Sequence, residues 1–112
     1  MESDMVKKNY IKNPKRIVIS EDAIVIIQNY FKLNLSKFML ISKNHNGPFW
    51  CIKFSNDEVK IKIEGDAGFT AKIIIEETEY PLWQFNREVG NKTETNYENI
   101  LFILDILKDF FN

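Results

Sequence analysis

Apolar positions change their period along the chain, and each change marks an element. Ala23, Ile24, Ile27, Tyr30 and Phe31 recur at helical spacing, which predicts a helix over residues 21–33. Ser20 stands at the expected N-cap, and Glu21 and Asp22 complement the helix dipole in the first turn. The run Ile17-Val18-Ile19 before it reads as a brief strand or as the lead-in to that helix.

A period of two follows. Residues 38–42 and 49–54 read as strands, separated by a turn over Asn44-His45-Asn46-Gly47-Pro48. Ser55-Asn56-Asp57 is the next turn cluster. Val59, Ile61 and Ile63 then alternate with Glu58, Lys60, Lys62 and Glu64, so this strand has one buried and one wet face. Gly65-Asp66-Ala67-Gly68 supplies a hairpin loop, and Phe69, Ala71, Ile73 and Ile75 form the next buried face. Residues 80–85 are a last strand. Pro81 cannot donate to a ladder, so this strand belongs at an edge.

The C-terminal pattern is helical again. Thr95-Asn96-Tyr97-Glu98 has the form of a capping box, and Ile100, Ile103, Leu104, Leu107 and Phe111 form one apolar stripe. The reading is an α+β fold: a helix, an antiparallel meander of four or five strands, and a C-terminal helix. Both helices are expected on one sheet face. The predicted core unites Ile24, Ile27, Phe31, Ile61, Ile63, Ile73, Ile75, Ile100, Leu104 and Leu107.

At 112 residues the chain fits one domain, read as a polar arm over 1–14 and a body over 15–112. No apolar run approaches the ~20 residues of a membrane span, and the acidic start Met1-Glu2-Ser3-Asp4 is unlike a secretory leader. The expectation is a cytoplasmic protein with no membrane partner, monomeric or weakly dimeric. Cys51 is the only cysteine, so packing alone must hold the core.

Catalytic chemistry is sparse. His45 is the only histidine and sits beside turn residues, while Cys51 lies between Trp50 and Ile52 in an apolar strand. A His45–Cys51 thiolate pair is the one enzymatic option, and the bland reading of both residues carries more weight. No zinc set, EF-hand or phosphate loop is present, so no catalytic residue, metal or cofactor is expected.

Binding is the expected role. The net charge is −1, but Lys7, Lys8, Lys12, Lys15 and Arg16 crowd the first segment and acids crowd the middle. The basic segment has little aromatic interleaving, so direct nucleic-acid binding is not expected. Glu76, Glu77 and Glu79, with Asp66 in the preceding hairpin loop, form an acidic stretch suited to a basic protein partner. Trp50 and Trp83 exceed what the helical stripes need, and either could anchor an interface. Reversing Glu76, Glu77 and Glu79 together is expected to leave the fold intact.

The succession from Phe49 to Phe111 resembles small bacterial immunity proteins of polymorphic toxin systems. The resemblance rests on the strand Val59–Glu64, the Gly65–Phe69 hairpin, the aromatic segment Tyr80-Pro81-Leu82-Trp83 and the C-terminal amphipathic helix. It departs from that pattern at Ala67, where many such proteins carry arginine. The resemblance implies a stoichiometric inhibitor that occludes a cognate toxin. A phage or mobile-element protein that blocks a host defence or nucleic-acid enzyme is the alternative.

Overall fold

The computed structural model describes residues 10–66 and 68–112. In chain order the elements are α1 (Ser20–Asn34), β1 (Met39–Asn46), β2 (Phe49–Ser55), β3 (Lys60–Gly65), β4 (Phe69–Ile75), β5 (Thr78–Pro81) and α2 (Tyr97–Phe111). Two 3-10 turns, Leu82–Gln84 and Arg87–Asn91, connect β5 to α2. The sheet is a five-stranded antiparallel meander in the order β1-β2-β3-β4-β5. This is the α+β arrangement the periodicity predicts.

Strand alternation decides the layering. Trp50, Ile52 and Phe54 on β2, Ile61 and Ile63 on β3, and Phe69, Ala71 and Ile73 on β4 are buried on one face. Ala23, Ile24, Ile26, Ile27 and Phe31 of α1 join them in one cluster with Ile100, Ile103, Leu104 and Leu107 of α2. Both helices therefore cover the same face. Phe31 stacks on Phe54 with ring centroids 3.7 Å apart, which fixes α1 over β2.

Several local expectations are corrected. The turn expected over residues 44–48 shrinks to Gly47-Pro48, so His45 belongs to β1. Gly47 takes φ +62°, the left-handed backbone that a type II′ hairpin reserves for glycine. The last strand ends at Pro81, which leaves Trp83 in a 3-10 turn. Ile75 is 40% exposed, because it borders the β4–β5 turn at the end of its strand.

Both helix caps differ from the sequence pattern. Ser20 is the first residue of α1 and donates its hydroxyl to the Gly47 carbonyl instead. Asn96, not Thr95, caps α2 and accepts from the Asn99 N–H at 2.8 Å. Thr95 is fully buried and donates to the Asp66 carbonyl, tying the β3–β4 hairpin to the start of α2. Gly65 is needed in that hairpin, since a Cβ there would collide with the Gly68 carbonyl oxygen and with Phe69.

The described part of the expected arm, residues 10–14, is docked. Tyr10 is buried, stacks on Tyr97 and donates to Asp22, while the Pro14 carbonyl accepts from the Glu98 N–H. Residues 1–9, which include Lys7 and Lys8, lie outside the described residues.

Candidate protein-interaction surface

The face of the sheet opposite the helices carries Cys51, Lys53, Lys60, Lys62, Glu64, Thr70, Lys72 and Glu79. Lys53 pairs directly with Lys62, and Lys62 directly with Lys72, so three ammonium groups stand in one cross-strand row. Like charges placed directly opposite destabilise a sheet. Two carboxylates relieve the repulsion. Glu79 accepts from Lys62 at 3.0 Å and lies 3.2 Å from Lys72, while Glu64 lies 3.7 Å and 3.6 Å from the same two amines. The hydrogen bonds from Lys62 and Lys72 hold the Glu79 carboxyl below the usual range, and the bond to Glu79 raises Lys62.

Glu79 is thus part of the sheet face and is engaged by lysines. Glu76 and Glu77 sit apart from it, at the two central positions of the β4–β5 turn. Their φ values are +49° and +71°, the left-handed pattern of a type I′ hairpin. Glycine and asparagine normally fill such positions; a side chain with Cβ there is strained.

The β2–β3 turn lies beside this one. Asp57 and Glu58 from the first turn, with Glu76 and Glu77 from the second, line a depression of about 260 Å³ together with Val59 and Ile74. Lys60 is the one basic residue on its wall. Four exposed carboxylates therefore gather at one end of the sheet, with two half-buried apolar side chains, Val59 and Ile74, in the same depression. Asp57 and Glu58 carry no site signal in the sequence, because only the strand pairing of β3 with β4 brings the two turns together.

The other expected site residues scatter. Trp50 is 2% exposed and packs inward near Phe69, so it offers no surface to a partner. Trp83 is 53% exposed, and Phe85 beside it makes an edge-on contact with Phe110. Asp66 lies at the opposite end of the sheet, where its carboxylate accepts from the Gly68 N–H.

His45 and Cys51 do not meet. His45 pairs with Trp50 and Cys51 with Asn44, which puts the two side chains on opposite faces. Burial, and then the charge of Glu64, push the Cys51 thiol up, away from thiolate chemistry. Among the described residues no group of three or more His, Cys, Asp or Glu side chains is placed to hold a metal ion. No described helix is long and apolar enough to cross a membrane. Comparison with protein-family models, curated proteins and solved structures finds no match to this chain.

Proposed function

We propose that this protein is a non-enzymatic inhibitor that binds a basic protein, of the kind found among bacterial immunity proteins that neutralise a cognate toxin. The observation that carries the reading is the acidic end of the sheet: Asp57, Glu58, Glu76 and Glu77 line one depression with Val59 and Ile74. A charged rim about an apolar centre is the usual anatomy of a protein interface. Two of the four carboxylates stand on backbone that disfavours them, and strain of this kind collects at functional positions. A carboxylate cluster attracts basic proteins over distance and speeds their docking. Nucleases and other nucleic-acid enzymes present such basic surfaces.

Inhibition of a host defence or nucleic-acid enzyme by a phage or mobile-element protein uses the same surface and the same physics. Affinity capture from the source cell tests the reading. The expected result is a basic protein recovered one-to-one by the native chain and lost when Asp57, Glu58, Glu76 and Glu77 are reversed to lysine. Recovery of no stoichiometric protein partner contradicts it.

A further inference from the structure

We infer that the edge strand β1 and the neighbouring side of α1 form a groove that accepts an extended segment of another protein by strand addition. The surface is separate from the acidic end of the sheet and does not depend on the proposal made for it.

β1 is one edge of the sheet, and all eight of its residues are exposed. The other edge, β5, is blunted: it has four residues, ends in Pro81 and runs into a 3-10 turn. The β1–β2 register breaks between Leu40 and Ser42 and is then regular from Ser42 to Asn46. Asn46 and Phe49 close the two-residue loop, which makes them a hydrogen-bonded pair. Counting back in alternation, Asn44 and Ser42 bond β2, while Lys43 and His45 turn their N–H and C=O groups to the edge that no other described strand covers. Those groups are a template for a further strand.

The side chains of Lys43 and His45 point to the helix face, since their partners Ile52 and Trp50 are core residues. There α1 runs alongside. Glu21, Ile24, Val25, Gln28, Phe31 and Lys32 fall on one helical stripe and line two depressions between α1 and β1, each of about 270 Å³. Leu40 is the exposed apolar side chain of the first, above the buried rings of Phe31 and Phe38. Ile24, Val25 and His45 line the second, with Glu21 at its α1 side and Lys43 at its β1 side. An exposed hydrogen bond from the Lys43 ammonium to the Gln28 side-chain Oε1, 3.0 Å long, crosses between them.

An added strand sends alternate side chains to this face, so it can fill the depressions in turn while its main chain pairs with Lys43 and His45. The charges select its chemistry. β1 contains no acidic residue. Lys43 stands at the centre of the groove and Lys32 beside the apolar depression, and neither makes an ion pair among the described residues. The occupant is an extended segment with a bulky apolar residue and a nearby carboxylate that replaces Gln28 on Lys43.

Selection from a random peptide display library on the native protein tests the inference, followed by titration of the selected peptides. The expected peptides combine an apolar residue with an acidic one. His45→Pro removes an outward N–H and leaves the β2 ladder whole, and Asn44 before it is already extended. It should weaken binding about tenfold or more, as should Lys43→Glu, which alters only an exposed side chain. An empty selection, or peptides that bind Lys43→Glu as well as the native chain, overturns the inference. A dimer of the protein alone that Lys43→Glu or His45→Pro dissociates also overturns it, because a second copy is then the occupant.

Discussion

Lys62 stands directly opposite Lys72 across the β3–β4 ladder, and the Glu79 carboxylate of β5 bridges both amines. Reversing Glu79 would remove the bridge and add a further cation beside the lysine row. The three glutamates grouped by the sequence are therefore not equivalent. Glu79→Lys should lower the melting temperature measurably, while Glu77→Lys leaves it nearly unchanged. Equal effects of the two would mean that the bridge contributes nothing to stability.

The β4–β5 turn offers a gain. Glu76 and Glu77 both take positive φ, at roughly 1–2 kcal/mol per residue for a side chain in left-handed backbone. Replacing the pair with Asn-Gly supplies the residues a type I′ turn favours and should raise stability by about 1–2 kcal/mol. Urea denaturation measures it. An unchanged or lowered midpoint argues against the left-handed turn.

α2 gives two graded tests. Leu104 is fully buried, so Leu104→Ala should cost roughly 2–5 kcal/mol through lost transfer energy and a cavity. Asn96→Ala should cost about 0.5–2 kcal/mol, because Asn96 caps the helix. Glu98→Ala should stay within about 0.5 kcal/mol, since Glu98 is exposed and does not cap. A larger loss at Glu98 than at Asn96 would restore the capping box of the sequence pattern.

The tyrosines set the alkaline limit. Burial and the bond to Asp22 push Tyr10 up to about 12, and burial also raises Tyr30 and Tyr97. Each folded value exceeds the unfolded one near about 10. The stabilisation is thus complete below that pH and is lost as pH rises through the folded values. Lys62, raised by Glu79, acts in the same direction. Glu79, held low, has its contribution above the ordinary carboxylate pKa and loses it as pH falls through the folded value. Urea midpoints should stay level at neutral pH, then fall above about pH 10. A stability that rises above that pH contradicts the buried phenols.

The sequence exposes the parts of this fold that have a period. Val59, Ile61 and Ile63 alternate against lysines, and Ile100, Ile103, Leu104 and Leu107 repeat along a helix, so both elements are readable. β1 is only half legible: residues 39–42 read as a strand, but 43–46 do not, because every residue of this edge strand is exposed and no buried face marks its length. Tyr10 reads as part of a polar arm, yet its ring finds Tyr97 from the far end of the chain. The acidic end was half legible. Glu76 and Glu77 form a visible run, but Asp57 and Glu58 join them only through the pairing of β3 with β4.

The acidic end is proposed to dock a basic partner. The most direct measurement is the association rate of the captured partner with the native chain and with the fourfold variant Asp57→Lys, Glu58→Lys, Glu76→Lys and Glu77→Lys, each over a range of salt. Glu79 is left in place so that the lysine row keeps its bridge. The variant should fold, associate about tenfold or more slowly at low salt, and show a flattened or reversed salt dependence. A variant that associates at the native rate with the native salt dependence contradicts it.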